Sequence, residues 1–301
     1  MFTIPSPLIK LNDSLFDEAG IELFIKRDDL IHPQISGNKW RKLKFNFLEA
    51  EKLNKRTIVT FGGAYSNHIY ATAAAGKLFG YKTIGIIRGE EQIILNPTLN
   101  FATECGMELI YLSREEYKNK EINIDKTILK YSLNDFYIIS EGGSNALGVK
   151  GCAEIVNEID IPFEYICCPC GTGTTLAGLI SGLNNSQTAI GFSALKGGDF
   201  LVDDVNKFIS DYYKHEGKES CRNPNFNLQT DYHFGGYAKS NEVLFDFIRT
   251  FEKRHSILIE QVYTAKMFFG IYDLIKIGYF KKGETIIALH TGGLQGRDGK
   301  I

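Results

Sequence analysis

Glu164-Tyr-Ile-Cys-Cys-Pro-Cys-Gly-Thr-Gly-Thr-Thr-Leu-Ala-Gly178 passes from an apolar run, through a turn of glycine and threonine, into a helix-forming pattern. The run Phe163–Pro169 reads as a strand buried on both faces, and Thr174–Leu183 as the helix that follows it. Between them, Gly171 and Gly173 let the backbone take unusual dihedrals and approach a ligand closely. Thr172, Thr174 and Thr175 add hydroxyl donors. The free N–H groups at the start of such a helix, with its dipole, favour a phosphate. No lysine follows the second glycine, which excludes the GxxxxGK[ST] loop of nucleotide hydrolases. Leu176 stands where the dinucleotide fingerprint needs its third glycine. The competing reading is a tight strand–helix turn with no ligand.

The same rhythm extends in both directions. Strands are expected at Glu22–Lys26, Thr57–Phe61, Lys82–Arg88, Glu108–Leu112, Phe136–Ser140, Thr188–Ala194 and Thr285–His290. Helices are expected at Ser66–Phe79, Asn96–Cys105, Leu147–Glu158, Glu242–Thr250 and Lys266–Ile277. Near-continuous apolar strands separated by helices imply βαβ crossovers, hence an α/β chain with mostly parallel sheets. The polar stretch Lys214–Asp231 reads as a surface excursion. A length of 301 residues suits about two domains. No Pro/Ser-rich linker divides the chain, so two domains would be interleaved.

Composition narrows the function classes. Hydrophobic residues make up 44% and charged residues 23%, which excludes intrinsic disorder, collagen-like repeats and disulfide scaffolds. Thirty-four basic residues against 36 acidic ones give a net charge of −2, so no global basic field attracts nucleic acid. The six cysteines include the cluster Cys167-Cys168-Pro169-Cys170, whose members cannot all pair with one another; this reads as a reduced, cytoplasmic protein with buried thiols. Cys167 and Cys170 form a lone CxxC without a second pair or a His cluster, and no metal site is read. No apolar window is long enough for a membrane span, and the residues from Met1 to Pro7 show no signal-peptide pattern.

Three further clusters carry chemistry. In Phe61-Gly-Gly-Ala-Tyr-Ser-Asn-His-Ile69, Ser66, Asn67 and His68 open a helix at the carboxyl end of a strand, where open α/β sheets collect ligands. Capping alone would also explain Ser66 and Asn67. In Lys26-Arg-Asp-Asp-Leu30 and Ser36-Gly-Asn-Lys-Trp-Arg-Lys-Leu43, Lys39 begins a helix. A cation is unfavourable at that positive end, and a neutral or Schiff-base lysine is one reason for it to be there. Late in the chain stand Gly235-Gly-Tyr237, Gln261-Val-Tyr263-Thr264 and His290-Thr291-Gly-Gly.

Taken together and in this order, these clusters resemble the pyridoxal-phosphate enzymes of the tryptophan-synthase β-subunit type. Within them they are most similar to the branch of 1-aminocyclopropane-1-carboxylate deaminase and D-cysteine desulfhydrase. The match runs from Ile25 to Thr291-Gly-Gly and includes Glu141-Gly-Gly-Ser-Asn-Ala-Leu-Gly148. The resemblance implies a homodimer with a large cofactor-binding domain of residues 1–44 plus 145–301 and a small inserted α/β domain of residues 45–144. It implies that Lys39 carries the internal aldimine and shuttles the proton, and that Asn67 bonds the ring hydroxyl. Gly171, Thr172, Gly173, Thr174 and Thr175 would hold the phosphate. Ser66, Asn67 and His68 would sit over the substrate carboxylate. Tyr237 and Tyr263 would line the site, positioning substrate or protonating a leaving group. Thr264 would face the pyridine nitrogen, with Thr291 near it.

Two positions bear on the activity. The deaminases of this branch carry Glu at the position of Thr264 and Leu at that of Thr291; the desulfhydrases tend to carry hydroxyl residues at both. A carboxylate at the pyridine nitrogen makes a strong electron sink, which opening a cyclopropane needs and β-elimination does not. The expected reaction is therefore elimination from D-cysteine to pyruvate, sulfide and ammonia. Deamination of 1-aminocyclopropane-1-carboxylate to 2-oxobutanoate and ammonia is the second reading, and a non-catalytic protein holding a phosphorylated metabolite is a third. Tyr65 and the segment Phe234–Lys239 depart from the branch's pattern near the substrate.

Overall fold

The computed structural model describes residues 1–91, 93–119, 135–218, 225–297 and 299. Its strands are β1 (Leu8–Leu11), β2 (Glu22–Lys26), β3 (Thr57–Gly63), β4 (Lys82–Arg88), β5 (Met107–Leu112), β6 (Phe136–Ile139), β7 (Tyr165–Cys170), β8 (Thr188–Ser193), β9 (Phe226–Gln229) and β10 (Thr285–Leu289). One sheet has the order β1-β2-β10-β7-β8-β9 and draws on both ends of the chain; the other has the order β5-β4-β3-β6 and uses only residues 57–139. Every pairing is parallel except β1 with β2. The α/β reading with mostly parallel sheets is therefore shown.

The helices are α1 (Ser14–Ala19), α2 (Asn38–Lys52), α3 (Asn67–Phe79), α4 (Pro97–Glu104), α5 (Arg114–Lys118), α6 (Ala146–Asn157), α7 (Thr174–Gly182), α8 (Leu201–His215), α9 (Glu242–His255) and α10 (Thr264–Lys276). The side chains of β10 alternate between two cores, as strand geometry requires. Ile286 and Ala288 pack with Leu244, Phe268 and Ile271 of α9 and α10. Ile287 and Leu289 pack with Val149, Leu176 and Leu201 of α6, α7 and α8. Both faces of the larger sheet are thus covered, and its open ends alone remain for a ligand. No helix among the described residues is long and apolar enough to cross a membrane.

The structure corrects the reading of Lys214–Asp231 as a surface excursion. Lys214 and His215 end α8, and Phe226–Gln229 form edge strand β9 against β8. With only Phe226 and Leu228 apolar in a polar surround, β9 carries too little signal to stand out as a strand. Residues 219–224, with Cys221, lie outside the described residues. Cys105 is half-buried rather than buried, while Cys152, Cys167, Cys168 and Cys170 are buried and free. Helix α2 runs unbroken past residue 44.

The segment Lys26–Leu30 explains how the helix of Lys39 is aimed. Arg41 grips Asp28 through two bonds of 3.0 and 2.9 Å and reaches Glu158 at 2.8 Å through Nη2, with Nη1 on the other oxygen. Lys26 completes the cluster at 2.8 Å from Glu158 and 2.6 Å from both the carbonyl and hydroxyl oxygens of Ser6. Lys26, Asp28 and Arg41 are all buried. Two cations face two carboxylates, and the charge closes to zero. Next to it, Arg27 holds Asp29 through bonds of 2.8 and 2.7 Å.

The cations and their hydrogen bonds hold the Glu158 carboxyl down at about 2, against the opposing effect of burial. A carboxyl lowered on folding stabilises the fold fully above its ordinary value of 4.5, and that contribution is lost as the pH falls through about 2. We expect Glu158→Gln to lower the unfolding free energy at neutral pH by about 3 kcal/mol, because it leaves a buried cation uncompensated. Urea titrations across that acid range should show a shallower pH dependence in the variant; an unchanged slope would contradict the assignment.

Candidate active site

Two strand–helix turns and the starts of two further helices converge on one cavity of about 540 Å³. The turn after β7 contributes Gly171, Thr172, Gly173 and Thr175; the turn after β3 contributes Ser66, Asn67 and His68; the start of α2 contributes Lys39; the start of α10 contributes Tyr263. Tyr237 and Thr291 complete this set on the wall. The sequence-derived residues are thus brought together, with two exceptions.

Thr174 and Thr264 do not reach the wall. Thr174 is buried as the first residue of α7, and its hydroxyl lies 3.1 Å from that of Thr172. Thr264 is fully buried, and its hydroxyl is 3.1 Å from the Glu260 carboxylate and 2.9 Å from the Glu260 backbone N–H. Glu260 is the reason. Its carboxylate accepts the backbone N–H groups of Val262, Tyr263 and Thr264 at 2.6–3.0 Å and so caps the N-terminus of α10. Thr264 is absorbed into that cap. Burial pushes the Glu260 carboxyl upward, and these donors pull it back.

Lys39 is the second residue of α2. Its helix begins at Gly37, where φ is +65° and an added Cβ would stand 1.9 Å from the Thr291 carbonyl oxygen. Only glycine allows that approach. The Lys39 amine lies 2.9 Å from Asn38 Oδ1, and Asn38 Nδ2 lies 2.9 Å from Thr175 Oγ1, which ties the lysine to the turn after β7. Desolvation, then the neighbouring Lys42, push the Lys39 amine down to about 7. An amine that titrates there is partly neutral near neutral pH and can act as nucleophile or base.

Lys42, Asn38, Glu141 and Arg88 also line the cavity and were not singled out from the sequence. Lys42 lies three residues after Lys39, so the helical period placed it on the same face. Glu260 had no signal until the start of α10 was known. His68 is buried, with Nε2 2.8 Å from Thr60 Oγ1. Thr60 spends its only hydroxyl hydrogen on the Ile139 carbonyl at 2.8 Å, so His68 Nε2 is the donor and Nδ1 keeps its lone pair. Burial, Lys39 and Lys42 hold His68 well below its ordinary value, and it is neutral.

The ends of α7 and α3 differ in a way that matters for anions. Ser66 caps α3, accepting from the N–H groups of His68 and Ile69 at 3.2 and 3.3 Å. Gly173 at the head of α7 has a φ of +79° and no capping side chain. The start of α7 thus lacks a side-chain cap while Gly173, Thr175 and Leu176 line the cavity with the helix dipole behind them, a ready phosphate cradle.

Over residues 1–292 the sequence matches the family described as "Pyridoxal-phosphate dependent enzyme". The chain belongs to that family. It is 30% identical to a putative 1-aminocyclopropane-1-carboxylate deaminase of Thermotoga maritima, over 97% of this chain and 95% of the relative. It is 31% identical to a bifunctional D-cysteine desulfhydrase/1-aminocyclopropane-1-carboxylate deaminase of Arabidopsis thaliana, over 94% of this chain and 75% of the relative. Its fold matches a crystal structure of an "ACC deaminase homologue" with a TM-score of 0.84 and 29% identity, covering 98% of this chain and 91% of that one. The chain is thus a pyridoxal-phosphate-dependent α/β enzyme whose homologues are named as deaminases and desulfhydrases.

The residues present fit the family's cofactor. A reactive amine stands on the wall, an uncapped helix end offers N–H groups for the phosphate, and a second lysine adds positive charge. Two outcomes follow. Covalent uptake of pyridoxal phosphate by the apo chain should accelerate as the pH rises through about 7, the value of the Lys39 amine, rather than near 10; a rate that climbs only far above neutrality would refute the lowered amine. Gly171→Asp should weaken cofactor affinity by about tenfold or more, since it sets a carboxylate beside the phosphate cradle and its Cβ would crowd Tyr263 at 3.1 Å. Equilibrium dialysis checks this, and an unchanged affinity would remove the turn from the site.

Proposed function

We propose that the enzyme eliminates the β-substituent of D-cysteine, releasing pyruvate, sulfide and ammonia. One observation carries the reading: the lowered Lys39 amine shares a single cavity with two tyrosine hydroxyl groups and the N-terminus of α3. Pyridoxal phosphate, when bound, supplies the electron sink that stabilises charge at the substrate α-carbon. The chain's own groups would do the rest. The turn of Gly171–Thr175 holds the phosphate, and Asn67 meets the ring hydroxyl. The positive end of α3, with Ser66, Asn67 and His68, orients the substrate carboxylate. Lys39 takes the α-proton as a free amine. Tyr263 hands a proton to the departing sulfur: burial keeps its hydroxyl protonated, and the ring of Tyr237 stands edge-on to it at 6.0 Å.

Thr264 and Thr291 favour elimination over cyclopropane opening. Neither position offers the carboxylate that a strong sink needs, and the Thr264 hydroxyl is committed to the Glu260 cap. The second reading, deamination of 1-aminocyclopropane-1-carboxylate to 2-oxobutanoate, is supported by the names of the relatives. The reading further takes residues 1–44 plus 145–301 as a large domain, 45–144 as a small inserted one, and the enzyme as a cytoplasmic homodimer, all on the resemblance described above.

The test assays the purified, cofactor-loaded chain with D-cysteine, L-cysteine, D-serine and 1-aminocyclopropane-1-carboxylate. Sulfide with pyruvate from D-cysteine is the expected result, and Lys39→Ala should lose on the order of 10³-fold in rate. Release of 2-oxobutanoate from the cyclopropane with no sulfide would overturn the substrate. Full activity in Lys39→Ala would overturn the mechanism.

A further inference from the structure

We infer that Lys266 is a positioning residue that sets Tyr237 against the substrate, and that it does so from the helix that carries Tyr263. The inference rests on the reading of Tyr237 as a substrate-facing residue. Lys266 is 1% exposed, in the first turn of α10. Among the described residues its ammonium faces no carboxylate within ion-pair distance. It donates instead to two backbone carbonyls, of His233 and of Gly236, at 2.8 Å each. Both belong to the loop that presents Tyr237.

That loop cannot hold its shape through backbone preference. Phe234, Gly235, Gly236 and Ala238 all have positive φ, at 52°, 96°, 119° and 54°. Phe234 and Ala238 pay a steric cost there that glycine would not. Tyr237 sits inside this run, half-exposed, with its ring edge-on to Tyr263. A cation in the first turn of a helix is also unfavourable with respect to the dipole. Two costs therefore meet at one contact, and the two carbonyl bonds to Lys266 offset both. The consequence is geometric: α10 carries Tyr263 at its head and, through Lys266, holds Tyr237, so the two hydroxyl groups move as one unit.

Each of these carbonyls keeps a second donor. His233 O also accepts from the Gly236 N–H at 3.0 Å, and Gly236 O from the Lys239 N–H at 3.1 Å. Replacing Lys266 by methionine keeps the apolar stem and removes only the ammonium, so the loop should loosen without the fold collapsing. Lys239 is exposed at the end of this loop and offers a trypsin site.

The experiment uses the cofactor-loaded chain and reads Lys266→Met two ways. Trypsin cleavage after Lys239 should accelerate about tenfold, the effect of losing roughly one charged hydrogen bond, with cofactor absorbance retained. This readout needs no substrate, so it stands if the D-cysteine reading fails. With the substrate that proves active, KM should rise about tenfold with a smaller change in kcat, and the same substitution in a Tyr237→Phe background should add little. Lys266→Gln, which keeps one donor, should fall between wild type and Met and covers the case in which the Met variant does not fold. Cleavage unchanged in both variants would overturn the inference, as would kinetic losses that add in full to those of Tyr237→Phe.

Discussion

The arrangement depends first on the buried cluster of Lys26, Asp28, Arg41 and Glu158. It ties the end of β2 and the turn after it to α2 and to the residue that closes α6. Two charges of each sign, with Ser6 filling the remaining bonds, remove the cost that any one of them would carry alone. Because Arg41 is two residues from Lys39, the cluster sets the angle at which α2 enters the cavity. Gly37 sets its distance: it lets the chain pass against the Thr291 carbonyl. The reactive amine is thus aimed by groups that never touch a ligand.

Helix ends and cations dominate the cavity wall, with the Glu141 carboxylate among them. The N-termini of α2, α3 and α7 open at its wall, and Lys42 and Arg88 stand there with them. Such a field draws anions, here a phosphate and a substrate carboxylate. The amine of Lys39 is lowered first by the exclusion of water and then by the charge of Lys42, both of which disfavour an ammonium. Glu260 is the counterweight. By capping α10 it removes one helix end from competition for the anions and locks Tyr263 at the wall.

The cluster also explains the string Lys26-Arg-Asp-Asp-Leu30. In the sequence it stands beside the reactive lysine and resembles a functional motif. In the structure Lys26 and Asp28 are spent on Arg41 and Glu158, while Arg27 and Asp29 are spent on each other. All four work at one remove from chemistry. Thr264 shows the opposite case. The family resemblance marks it for the cofactor, and its hydroxyl bonds the Glu260 carboxylate that caps α10.

What the sequence determined by itself was everything set by local pattern. The apolar runs with their helices, the glycine turn before Thr174 and the serine cap at Ser66 are written in neighbouring residues, and so the fold class and the places of its strand–helix turns could be read directly, while the role given to Lys39 came through the family resemblance. Short elements such as β1 and β9 were not legible, because polar residues break their four-residue runs, whereas the equally short β6 reads Phe-Tyr-Ile-Ile. The tertiary structure alone decided the pairings across distance: Arg41 with Glu158, 117 residues apart, Asn38 with Thr175, and Lys266 with the loop of Tyr237. Those partners are chosen by which surfaces the two sheets bring together. A buried charge must find its partner there, and nothing adjacent in the chain announces where that partner will be.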